Sequence, residues 1–139
     1  MYTYSRPVYY YETDKMGVVH HSNYVRWLEE ARTFYFDDHD LAYVETERLG
    51  VMSPIIDIDL KYKYPAKYGD DFVVQINMIK YTGVRFCMAY TVMNQNGRIL
   101  LEGESGHAFV DADLKPISLS RALPERHDRM KALLEGTDD

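Results

Sequence analysis

The sequence predicts an α+β fold in which one antiparallel sheet wraps a single long helix, with residues 1–139 forming one domain. Three observations carry this expectation. A long stretch entered at Ser22-Asn23 repeats its apolar residues at helical spacing. From Ile56 onward the repeat shortens to two, the period of a strand with one face buried. The strands of that second region are separated by turns too short for anything but antiparallel pairing. Helices do not alternate with strands, which disfavours a doubly wound parallel sheet. An open two-layer sandwich would use the same elements.

Taken in order, Thr3 to Tyr11 reads as a first strand, with Pro7 hinting at an edge or an irregular start. The long helix follows a polar loop. Tyr24, Trp27, Leu28, Ala31, Phe34 and Tyr35 recur at steps of three or four and share one face. Arg26, Glu29, Glu30, Arg32 and Thr33 fall mostly on the rest of the surface, where Arg26 with Glu30, and Glu29 with Arg32, stand at pairing distance. Ser22 and Asn23 are good N-cap candidates. A second short helix runs from about Leu41 to Leu49, stopped by Gly50. Ile56, Ile58, Leu60, Tyr62 and Tyr64 then alternate with polar residues, as do the inward positions of two strands either side of Thr82-Gly83. Asn96-Gly97 is a hairpin signal opening a last strand from about Arg98 to Val110. Pro124 to Leu134 reads as a C-terminal helix, followed by Gly136 and an acidic tail.

Composition narrows the function classes. With 16 Lys and Arg against 22 Asp and Glu, the net charge is −6, against the clustered basic surface that nucleic-acid binding requires. One Cys leaves no internal disulfide and suits a reducing cytoplasm. No apolar run reaches the length of a membrane span, and the first residues lack an apolar signal segment. There is no Gly-x-Ser-x-Gly elbow and no Gly-rich phosphate loop, so a serine hydrolase or a nucleotide enzyme is disfavoured. The adjacent His20 and His21 have neither helical nor zinc-finger ligand spacing. Neither a metal nor a cofactor is expected.

The loop before the long helix carries the chemistry. Tyr10-Tyr11-Glu12-Thr13-Asp14-Lys15-Met16-Gly17-Val18-Val19-His20-His21-Ser22-Asn23-Tyr24-Val25 resembles the 4-hydroxybenzoyl-CoA thioesterase family, particularly its YbgC-like branch. The shared pattern is a Thr-Asp pair, a small residue, two aliphatics, an aromatic or His, a further His or Tyr, and Asn/Ser-Tyr entering the helix. The strand order matches too, so the likeness covers nearly the whole chain. It implies a hotdog fold, an acyl-CoA thioester hydrolase, and a homo-dimer or a dimer of dimers (a homotetramer) with sites at the subunit interface. Carried over by position, Asp14 stands for the catalytic carboxylate, His21 for the histidine seven residues later, and Tyr10 for the tyrosine four residues earlier. The backbone at His21 matches the group that polarises the thioester carbonyl. Gly17, Val19, Ser22 and Asn23 are the motif residues implied to line the substrate. His20 departs from the pattern, since close relatives carry an aromatic there, and register favours His21 as the substrate-facing histidine.

The residue chemistry agrees with this reading. An ionised aspartate can act as base toward water or attack the carbonyl to form an anhydride, two routes that sequence leaves open. A helix N-terminus offers unpaired N–H groups and roughly half a positive charge for the oxyanion. The phosphates of CoA require cations, and Lys80 and Arg85, flanking Thr82-Gly83, are the candidates. Acyl carrier protein is an alternative carrier. Two other readings use the same fold: an acyl-thioester binding protein without catalysis, which would not need Asp14, and a hotdog hydratase or dehydratase, whose Asp–His motif with Asn-Pro between is missing here. Asp14 before a helix is also a common turn or capping residue.

Overall fold

The structure is a computed structural model and describes residues 1–136. Five strands, β1 (Tyr2–Pro7), β2 (Ile55–Tyr62), β3 (Asp71–Tyr81), β4 (Arg85–Met93) and β5 (Ile99–Ala108), form one sheet in the order β1-β3-β4-β5-β2. Every neighbouring pair is antiparallel. The helices are α1 (Ser22–Asp38), α2 (Tyr43–Arg48), α3 (Leu119–Ala122) and α4 (Pro124–Glu135). This is the α+β architecture that the patterns predict and the hotdog fold that the resemblance implies.

Helix α1 packs against β1 and β3. It buries Tyr24, Trp27, Leu28, Ala31, Tyr35 and Phe36, and Trp27 stacks on Phe72 of β3 with ring centres 3.9 Å apart. Phe72, Val74, Ile76 and Met78 of β3 and Phe86, Met88, Tyr90 and Val92 of β4 supply the facing wall, as the two-residue alternation requires. Each such apolar side chain contributes about 1.5–3 kcal/mol by leaving water. Proline at the first position of α4 and the left-handed Gly97 (φ +78°) in the β4–β5 turn sit where their backbone preferences fit.

Several expectations are corrected. The first strand stops at Pro7, and Tyr10–Glu12 form a single 3-10 turn instead of its continuation. Ser22 is the first residue of α1; His21 occupies the cap position, and no side chain caps it. Asn23 turns inward. Phe34 is about half exposed and stacks on Tyr4. Arg32 is buried and Glu30 pairs across to Arg6, so neither expected surface pair within α1 forms. Only β3, β4 and β5 make a meander; β2 crosses to the far edge beside β5. The apolar side of β2 is correctly assigned but uncovered: Ile58 and Leu60 pair with inward Ser105 and Gly103, yet Ile58 stays 40% exposed because α1 lies over the opposite half of the sheet. The acidic tail at 137–139 lies outside the described residues. No helix among the described residues is long and apolar enough to cross a membrane.

Candidate active site

The Asp14 loop is a narrow doubled-back segment. Thr13 bridges Val19, Asp14 N–H donates to the Val18 carbonyl (2.8 Å), and Gly17 N–H returns to the Asp14 carbonyl (3.1 Å). Gly17 has φ +79°, a left-handed turn that a side chain would strain. The loop is tied to the segment before β3 through Val19 N–H to the Ala66 carbonyl (2.8 Å) and a bridge between Val18 and Lys67. The Tyr24 hydroxyl accepts from Ala66 N–H, locking that segment to α1.

Beneath the loop lies Glu12, 3% exposed. Its carboxylate accepts from Arg6 Nη1 (3.0 Å), Arg6 Nη2 (2.8 Å), the Trp27 indole (2.8 Å) and the Tyr9 amide (2.8 Å). Its backbone carbonyl accepts from the Asn23 side chain (2.9 Å) and the His20 amide (2.9 Å). Arg6 in turn binds Glu30 of α1. One residue thus joins β1, α1 and both limbs of the loop. Burial alone would push the Glu12 carboxyl up; the Arg6, Trp27 and Tyr9 donors more than reverse this and hold it below the usual carboxylate range. Nothing in the sequence pattern marks Glu12, because its partners lie 6 and 15 residues away on different elements.

The sequence-derived candidates fall into three groups. Asp14 and Gly17, in the loop that leads into α1, and His21 and Ser22, at the start of the helix, are exposed. Asp14 Oδ1 accepts from Met16 N–H (2.8 Å), closing its own turn, while Oδ2 has no hydrogen bond among the described residues. The His21 amide likewise has no acceptor among them, and Ser22 N–H reaches only His20 Nδ1 at 3.3 Å. His20 is held by the Ser22 hydroxyl (2.9 Å), and the rings of His20 and His21 lie 4.3 Å apart. A second group is structural in this chain: Val19 is buried in the core, and Asn23 braces Glu12. Tyr10 is 75% exposed and packs edge-on against Tyr68, with no hydrogen bond to Asp14. Lys80 and Arg85 form the third group. The Asp14 loop adjoins the Asp71 end of β3, since Val8 N–H binds the Asp70 carbonyl; Lys80 lies nine residues along that strand, about 30 Å away. One chain therefore does not bring these cations to the loop.

A second polar cluster is buried behind the middle of α1. Arg32, 8% exposed, donates to the Tyr90 hydroxyl (3.0 Å); Tyr90 and Ser105 hydroxyls are 2.5 Å apart, and Ser105 meets His107 Nε2 at 2.8 Å. Burial, and then the Arg32 charge, lower the His107 pKa to about 4, against a smaller opposing contribution from the Ser53 backbone. Arg32 was expected on the helix surface; the signal that places it on the buried stripe is its spacing, four residues after Leu28 and four before Phe36.

Comparison with known proteins places this geometry. Residues 8–131 match the family model described as the thioesterase-like superfamily. YneP of Bacillus subtilis (strain 168), which bears a provisional acyl-CoA thioesterase name, is 38% identical over 121 residues, 86% of this chain and 88% of its own. The acyl-CoA thioester hydrolase YbgC of Escherichia coli O157:H7 is 29% identical over 119 residues, 85% of this chain and 86% of its own. A DHNA-CoA thioesterase structure from Staphylococcus aureus superposes with a TM-score of 0.91 at 30% identity, covering 96% of this chain and 90% of that one. The chain belongs to the thioesterase-like superfamily, the acyl-CoA thioester hydrolases of the hotdog fold.

Proposed function

We propose that this protein hydrolyses an acyl-CoA thioester to the free acid and CoA, with Asp14 as general base or nucleophile and the amides at the start of α1 as oxyanion donors. The observation that carries the reading is that the one loop entering α1 holds two unspent groups among the described residues, the Asp14 Oδ2 atom and the His21 N–H. A preorganised donor aimed at the developing oxyanion is worth about 3 kcal/mol in the transition state. A 17-residue helix supplies the dipole behind it. His21 is placed to hydrogen-bond the thioester or hand a proton to the leaving thiolate. In the base route, Asp14 takes a proton from water as the water oxygen bonds to the acyl carbon and the C–S bond breaks. In the nucleophile route, the carboxylate oxygen makes that bond, and water then cleaves the anhydride.

The assembly is proposed to be at least a dimer. Strand β2 leaves one edge unpaired and exposes Ile55, Ile56, Ile58 and Tyr62, the kind of edge that pairs with another strand. A two-fold antiparallel β2–β2 contact reverses the second sheet. It would carry the partner subunit's Lys80 and the partner subunit's Arg85 to the rim where this chain's Asp14 lies, giving those cations a route to the CoA phosphates. The single cysteine and the acidic balance support a cytoplasmic setting.

A free-thiol assay over short, long and aromatic acyl-CoAs tests the reading, and thiol release with a carboxylic acid product is expected. Conversion of an enoyl-CoA without thiol would indicate a hydratase, and binding without turnover would indicate a carrier. Single turnover in ¹⁸O-water tests the nucleophile route: label in the Asp14 carboxyl requires that Asp14 attacks and that water then opens the anhydride at the aspartyl carbon.

A further inference from the structure

A cleft of about 630 Å³ runs along the flank of α1 that faces the β2 edge. Val25, Glu29 and Arg32 line it at steps of four and three, so one stripe of the helix forms its floor from near the mouth inward. Met52 and Ile55, at the entry to β2, contribute to the opposite wall, and His107 lies among the lining residues. Its floor ends on a cation without a counter-charge. Arg32 touches the Tyr90 hydroxyl and the Tyr43 side chain, and no acidic group among the described residues lies within 4.0 Å of it. Buried arginines are ordinarily paired.

The neighbouring hydrogen bonds do not neutralise it. Arginine only donates, so the Tyr90 oxygen accepts from Arg32. Tyr90 then donates to Ser105 and Ser105 to His107 Nε2, the direction in which each hydroxyl hydrogen finds an acceptor. That leaves the remaining His107 hydrogen on Nδ1, which makes no hydrogen bond of good geometry and has the Ser53 backbone nearby. The cluster therefore presents donors and a positive charge, with no anion of its own. Glu29 and Glu47 also line the cleft, but both are exposed, and water screens them.

We infer that this cleft takes a carboxylate, and that the substrate class is a medium-chain dicarboxylic acyl-CoA whose free carboxylate rests on Arg32 while its thioester meets Asp14 and the α1 amides. The inference rests on the thioesterase reading. Ser22 to Arg32 spans about 15 Å of helix, and the arginine side chain leans back toward the N-terminus, which leaves room for an extended acyl chain between the two ends.

Suberoyl-CoA and octanoyl-CoA, equal in length and differing in the terminal carboxylate, provide the test. The wild-type protein is expected to favour suberoyl-CoA in kcat/KM by about tenfold or more, and Arg32→Gln to lower that selectivity about 100-fold, mainly through KM for suberoyl-CoA, the range for a site left without its charged partner. Arg32→Lys, which keeps the charge, should retain part of the preference. Equal or better use of octanoyl-CoA by the wild type overturns the inference. So does an Arg32→Gln protein that falls to monomers and loses both substrates equally, which would place a partner's carboxylate on Arg32. Free suberate, measured by thermal shift, keeps the two proposals apart. Stabilisation of the wild type by suberate but not octanoate, lost in Arg32→Gln, supports the carboxylate site even if no acyl-CoA is cleaved. Absence of suberate binding to an otherwise active thioesterase removes the site alone.

Discussion

Two arginines, one partly and one fully buried, anchor the two polar networks of this protein. Arg6 is enclosed by two carboxylates, Glu12 and Glu30, and every oxygen of Glu12 is spoken for. Arg32, the more deeply buried of the two, meets only tyrosine hydroxyls beside an open cleft. The first network is closed and its work is mechanical, since it fixes the Asp14 loop against α1. The second is incomplete within one chain, and its deficit is a negative charge. Buried charge of either sign costs solvation; a network that leaves that cost unmet is a better pointer to a ligand than one that balances it.

The comparison can be broken by mutation, and the largest effect should fall on the closed side. Glu12→Ala leaves Arg6 with Glu30 as its one carboxylate, takes the acceptor from the Trp27 indole and the Tyr9 amide and removes the loop's clamp, so a loss of about 2–4 kcal/mol in urea unfolding is expected. Tyr90→Phe removes the acceptor of Arg32 and the donor to Ser105 and should cost about 1–2 kcal/mol in the same measurement. Trp27→Phe keeps a ring over Phe72 while deleting one hydrogen bond to a charged acceptor, and about 1.5 kcal/mol is expected, with most of the loop's geometry intact. If Glu12→Ala cost no more than Tyr90→Phe, the distinction between a closed and an open network would fail.

Acid titration sharpens the same contrast because the two networks release protons in different windows. The His107 ring titrates near 4 in the folded protein and 6.5 in its ordinary state, so the unfolded chain binds more protons between those values. Stability falls as the pH drops from 6.5 toward 4 on that account. Glu12 is held below the usual carboxylate range, so its contribution is complete above the unfolded value of about 4.3 and is lost only below it. Melting temperature against pH should decline in two stages, and His107→Gln should flatten the first while leaving the second.

Much of the fold was legible because its determinants are local in sequence. Helical spacing exposed the stripe from Tyr24 to Tyr35 apart from Phe34, alternation exposed β3 and β4, and Asn96-Gly97 marked its hairpin. The Asp14 loop was legible through its motif. What stayed hidden depends on partners far along the chain. Glu12 takes its role from Arg6 and Trp27, and the crossing of β2 to the far edge depends on which strand β5 accepts as a neighbour. The two-residue pattern of β2 reports which side is apolar, but burial of that side requires a cover that one chain does not supply. Arg32 shows the converse, for its position lay on the apolar stripe while its charge argued for the surface.

Asp14 is the group proposed to activate the attack on the thioester. The most direct measurement is kcat for Asp14→Asn on the best acyl-CoA found for the wild type, with the melting temperature recorded alongside. A fall of at least about 100-fold with the fold intact is predicted, the range for loss of a positioned base. Near-normal turnover in a folded Asp14→Asn protein would contradict it.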